Sequence, residues 1–243
     1  MTAPFSSTPK GVLDLFLDIF LGGVPILRGA DTLAALPPHL QFAKVIELLK
    51  QCWKLDNQLR SFYENLKSST STPLFWPVFS ADNVSGDGHA DSLAYLSLEF
   101  IEMKVAVIIV LYWATLTVLW SGMSHLYDSI DEFGAILNPA WTKATDDSVK
   151  IEFYQKLGLP EPGHCRDFII VARKVFQCVD YCMKDELGRR VIVAPLTMTI
   201  DSLESWGKYT EEVTWALGKL QESQNRGMKL VKYLVDPRTR WWR

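Results

Sequence analysis

Residues 105–120 read VAVIIVLYWATLTVLW. Only Thr115 and Thr117 interrupt this apolar run, and no charge, proline or glycine occurs in it. A helix built from it has no polar side to turn to water, so other helices must surround it. The run falls short of the roughly twenty residues that span a bilayer, so no membrane span is expected. Working outward, residues 92–127 contain no proline and a single glycine, Gly122. One continuous helix is expected there.

Upstream, residues 11–21 place Asp14 and Asp18 on one helical face and Leu13, Phe16, Leu17 and Phe20 on the other, with Gly22-Gly23 as the stop. A short apolar stretch, residues 24–27, leads to the break at Pro37-Pro38. Residues 42–66 repeat apolar side chains from Val45 to Leu66 at helical spacing and form a long helix. Residues 68–91 are rich in Ser, Thr, Pro, Gly and Asp and read as a loop. Downstream, Thr145, Asp146 and Asp147 open a helix. Residues 167–184 are amphipathic and end at Gly188-Arg189-Arg190, VIVAPLTMTI enters a helix starting after Pro195, and residues 210–234 are helical. With no strand series or hairpin signal, the expected fold class is all-α: a single multi-helix domain, residues 11–234, around a buried apolar central helix. Residues 1–10 are expected to be a flexible N-terminal segment without signal-peptide character, and residues 235–243 a tail.

Composition agrees with this. The 243 residues are 48% hydrophobic and 12% aromatic, which excludes disorder as the dominant state. With 25 Lys+Arg against 28 Asp+Glu the net charge is −3, so the chain lacks the positive field of a DNA-binding module. Cys52, Cys165, Cys178 and Cys182 are too few and too unevenly spaced for a disulfide framework, which places the chain in a reducing compartment and expects it in the cytoplasm. Cys178 and Cys182 share a helical face but have no second pair nearby; buried thiols explain them better than a metal site.

The order of the segments resembles the helical regulatory domain of fungal zinc-cluster transcription factors. The matching pieces are FLGGVPILRGA (residues 20–30), CWKLDNQLRSFYENL (52–66), LSLEFIEMKVAVIIVLYWATLTVLW (96–120), ARKVFQCVDYCM (172–183), APL (194–196) and EEVTWALGKLQESQNRG (211–227). The family's DNA-binding head needs six closely spaced cysteines, and this chain has four scattered ones. The resemblance therefore implies a free-standing helical domain that does not bind DNA directly. It also implies an apolar small-molecule ligand, a setting in fungal secondary metabolism, and nuclear location if the chain acts as a regulator.

No GxSxG, glycine-rich phosphate loop, HExxH or dinucleotide fingerprint is present, and the aspartate-rich pattern of terpene cyclases is missing. The best polar constellation is His125, Asp128, Asp131 and Glu132: spacings of three and four put His125 and Asp128 on one helical face, the arrangement of an oriented acid or base. Glu99 and Glu102 are expected at the other end of the same helix, too distant to join them. Tyr112, Trp113 and Trp120, joined by Trp206 and Trp215, are candidates to line a pocket where aromatic faces stabilise a developing cation; core packing is the plainer account. Asp82, Asp87, His89 and Asp91 lack the spacing of a calcium loop, so neither metal nor cofactor is expected. The closing RTRWWR (238–243) reads as a tail that packs its indoles. The leading expectation is a metal-free cyclase or isomerase; the rival is a co-regulator or ligand sensor acting through a zinc-cluster partner, with a homodimer open in either case.

Overall fold

The computed structural model describes residues 10–79, 96–137, 147–225 and Val231. The protein is all-α, built around a mostly buried apolar helix, with one small two-stranded sheet. The helices are α1 (Val12–Leu21), α2 (Val24–Leu33), α3 (Pro38–Ser68), α4 (Met103–Leu137), α5 (Asp147–Lys156), α6 (Phe168–Gln177), α7 (Val179–Met183), α8 (Glu186–Glu204) and α9 (Thr210–Asn225). The strands are β1 (Phe75–Phe79) and β2 (Leu96–Phe100). The fold divides into two compact units, and the division falls within α4: Met1–Ser71 with Glu132–Leu159, and Thr72–Asp131 with Pro160–Arg243.

In the first unit α3 is the platform. Its apolar repeat buries Val45, Leu48, Leu49, Cys52, Leu55, Leu59, Phe62 and Leu66. Gly29 of α2 explains how closely a neighbour can approach: a Cβ there would lie 2.6 Å from a Leu48 methyl carbon, so only glycine fits without Leu48 moving. α1 attaches through one fully buried side chain, Phe16, whose ring meets Phe62 with centroids 5.6 Å apart. The short apolar stretch at residues 24–27 is in fact the start of a complete helix. Pro25 sits in its first turn, where a missing N–H costs nothing.

In the second unit the α4 side chains Ala106, Ile109, Val110, Ala114, Thr117, Met123, Ser124, Tyr127 and Ile130 are all fully buried. Counting the other buried residues, only Leu111 and Val118 between Ala106 and Ser121 are not buried, so burial reaches nearly the whole circumference of the helix. By length and composition Met103–Ile136 would cross a membrane, but 67% of its most apolar stretch is buried inside the protein, the mark of a core helix. Thr115 and Thr117 satisfy their hydroxyls within the helix, donating to the carbonyls of Leu111 at 2.8 Å and Trp113 at 2.9 Å. Ser124 donates to the Cys165 carbonyl at 3.0 Å and Tyr127 to the Pro160 carbonyl at 2.5 Å.

Several expectations need correction. Residues 92–127 are not one helix, and strands are present: β2 occupies Leu96–Phe100, pairs antiparallel with β1 from Phe75↔Phe100 to Phe79↔Leu96, and α4 starts only at Met103. The proline in FWPVF masked the strand signal. The backbone N–H of Ile101 donates to the Leu74 carbonyl, so the pair Leu74–Ile101 is hydrogen-bonded, and by alternation Pro77–Leu98 is not. Pro77 thus turns its missing donor outward, as an edge strand allows. Glu99 consequently lies on β2, not on α4, and pairs with Lys184. Gly188-Arg189-Arg190 lies inside α8 instead of ending a helix; the break comes earlier, at Cys178 between α6 and α7. α8 begins at an Asp185 cap, whose carboxylate accepts from the N–H groups of Leu187 (2.8 Å) and Gly188 (3.3 Å), and runs through Pro195. A Cβ at Gly188 would lie 2.4 Å from the Cys182 carbonyl, which is why the glycine sits inside a helix. Asp82, Asp87, His89, Asp91 and the RTRWWR tail lie outside the described residues.

Candidate functional site

Of the four polar residues anticipated on α4, His125, Asp128 and Asp131 fall in the second unit and Glu132 in the first. The continuous helix puts His125 and Asp128 one turn apart. The Asp128 carboxylate accepts from the Arg166 guanidinium at 2.6 Å, and both side chains are partly open to solvent. The His125 ring stacks on the indole of Trp206, with centroids 4.1 Å apart and planes 17° from parallel, while Nε2 lies 3.1 Å from Ser205 Oγ.

The end of α8 makes this possible. Ser205 is its C-cap, Gly207 follows with φ +65°, and the chain reverses so that Trp206 faces α4. The indole N–H donates to Ser121 Oγ at 2.8 Å. The hydroxyls of Ser121 (3.4 Å) and Ser205 (2.8 Å) both donate to the Ser202 carbonyl. With the Ser205 proton directed there, His125 Nε2–H is the donor to Ser205, and the free lone pair of the neutral ring is on Nδ1. In this arrangement Ser205 anchors the ring.

Partial burial against the indole holds the His125 pKa below the usual imidazole value; Asp128 pulls it up and Arg166 pulls it down. At neutral pH the ring is mostly uncharged, the state that accepts a proton. The arrangement can move a proton at a partly open surface. Lys208 lies over the rings of Trp206 and Tyr209, 5.2 Å from each centroid.

The other aromatic candidates each have partners of their own. Trp113 is buried in a cluster with Phe75 (5.0 Å, edge-on) and Phe100 (6.5 Å), and the Lys174 ammonium lies 5.4 Å from its ring. Trp120 meets His164 edge-on at 4.8 Å, and Tyr112 is buried. Trp206 also packs on Phe168 at 5.1 Å, and Trp215 on Phe176 at 5.6 Å with Lys219 over it. The structure brings His125 and Trp206 together; Tyr112, Trp113, Trp120 and Trp215 sit among other side chains. Cys178 and Cys182 are buried free thiols, Cys178 raised well above the usual thiol pKa and Cys182 pushed up to about 12, in both chiefly by burial. Among the described residues no three His, Cys, Asp or Glu side chains gather to hold a metal ion.

A second feature lies in the first unit. All of α1 except Asp14 and Asp18 is apolar, yet only Phe16 is buried. Val12, Leu13, Leu15, Leu17 and Leu21 are 40–60% exposed. Sequence periodicity found the helix and its acidic face but missed this surplus, which eight apolar side chains around one short helix already imply.

No protein-family model matches the chain, and comparisons with curated proteins and with solved structures also find no match. The functional reading rests on this geometry.

Proposed function

We propose that this chain is an all-α binding domain that acts by engaging a hydrophobic macromolecular partner through α1, in line with the co-regulator reading of its resemblance to zinc-cluster regulators. The observation that carries this is the α1 surface, five exposed aliphatic side chains around one buried phenylalanine. Three of the five, Leu13, Leu17 and Leu21, share one face, and exposed apolar surface gathered in this way is a mark of interaction sites. A cyclase, by contrast, needs aromatic faces turned to a dry substrate cavity, and the candidate indoles here are engaged by neighbouring rings and cations.

A second reading, a cofactor-free isomerase, is favoured by one observation: an oriented, mostly neutral His125 held by Ser205 beside Asp128. One experiment separates them. In a fungal host carrying a biosynthetic cluster next to this gene, the wild-type chain is expected to change transcript levels of the cluster, and Leu17→Glu is expected to abolish that effect. Turnover of an accumulating intermediate by the purified chain, lost in His125→Ala while transcripts stay constant, would overturn the binding reading in favour of the enzyme.

A further inference from the structure

Resting on the reading of α1 as a docking helix, we infer that its partner is an amphipathic α-helix carrying Lys or Arg along one edge of an apolar stripe. Leu13, Leu17 and Leu21 recur every four residues and form one exposed stripe, with exposures of 40%, 40% and 60%. Residues at this spacing match the ridge that a second helix presents in return. One edge of the stripe is bounded by Phe16 and Phe20, which stack on each other at 6.2 Å. The other edge is bounded by Asp14 and Asp18.

Both acids are exposed, and among the described residues their engagements are local. Asp14 Oδ2 accepts from the Gly11 N–H at 3.0 Å, and Asp18 Oδ2 pairs with Lys10. In the Lys10–Asp18 pair both side chains are more than half exposed, so exchange for a partner's cation costs little. An incoming helix therefore meets leucines at its centre and two carboxylates along one side. Its complement has apolar side chains at every third or fourth position and cations on the flank facing Asp14 and Asp18. A second copy of this chain laid antiparallel would set Asp14 and Asp18 against their own counterparts, and an anionic lipid surface would meet them with like charge.

The test uses two synthetic helical peptides with one shared leucine stripe, flanked by lysines in one and by glutamates in the other. Binding to the full chain is followed by fluorescence anisotropy. The lysine peptide is expected to bind at least about tenfold more tightly, an advantage that shrinks at high salt, disappears in the double variant Asp14→Asn/Asp18→Asn, and requires Leu17. Equal binding of both peptides would overturn the inferred partner class while leaving α1 as a docking helix. So would self-association seen in sedimentation and abolished by Leu17→Glu, or α1-dependent binding to phosphatidylcholine–phosphatidylserine vesicles in place of the lysine peptide. If no probe binds the wild-type chain, it does not self-associate, and Leu17→Glu leaves transcripts unchanged, the docking reading itself is lost.

Discussion

α1 and α4 are both dominated by aliphatic and aromatic side chains, and they meet opposite fates. Along α4 every residue from Ala106 to Ser121 except Leu111 and Val118 is buried, so nearly the whole circumference of the helix is covered. Along α1 only Phe16 is buried. Apolar composition sets what a helix needs, while the number of its faces that other elements cover sets what it receives. α4 runs through a unit built from a sheet and several helices, whereas α1 lies on α3 as a short outlying helix. The surplus apolar surface of α1 is therefore the unusual feature, and the many aromatic rings of α4 are the ordinary one.

The comparison breaks most visibly at the two anchoring rings. Trp113→Ala removes an indole that is 3% exposed and packed on Phe75 and Phe100, so a loss of about 3–5 kcal/mol is expected in denaturant melts followed by circular dichroism. Phe16→Ala vacates the one buried site of α1 at Phe62. It is expected to release that helix, with amide exchange rising sharply in residues 12–21 and far less along α4. Leu17→Glu, one residue on, is expected to shift stability by no more than about 0.5 kcal/mol because the side chain already faces water. If it destabilises as much as Phe16→Ala, the exposed stripe is part of the core and the contrast between the helices fails.

Much of this was legible in the sequence, for reasons that differ by region. The α4 run could be read because unbroken apolar sequence admits few outcomes, and α3 because its repeat keeps helical phase from Val45 to Leu66. The strands were not legible. FWPVF carries a proline that is tolerated only because residue 77 faces the outer edge, a fact of register that no local pattern contains. The helix through Pro195 and Gly188 was hidden likewise, since Gly188 is required by a carbonyl of Cys182 that only tertiary packing brings near. At the candidate site, His125 and Asp128 followed from spacing alone. Ser121, Ser202, Ser205 and Arg166 did not, because the contacts of these serines and of Arg166 with α4 or its indole partner join segments 38 to 85 residues apart in the chain. The sequence Ser205-Trp206-Gly207, a hydroxyl and an indole before a glycine, was the one signal that a helix end there turns a ring toward a neighbour.

The smallest expected effect sharpens the same contrast at the surface of the second unit. His125 titrates below the ordinary imidazole value in the folded chain, so near pH 6.5 the unfolded chain holds more protons than the folded one. Its contribution to stability is complete above that pH and declines as pH falls through the unfolded value toward the folded one. Replacing His125 by Phe keeps a ring on Trp206 and removes the titration. The difference in midpoint between the wild type and His125→Phe is therefore expected to change as pH falls from neutral to about 5, with the wild type losing relative stability. Chemical-shift titration of the His125 ring gives an independent check of the same displacement. A folded pKa above neutrality would show that Asp128 outweighs burial at this ring. His125 would then be mostly charged at the pH where the isomerase reading needs it neutral, leaving the α1 surface as the stronger basis for function.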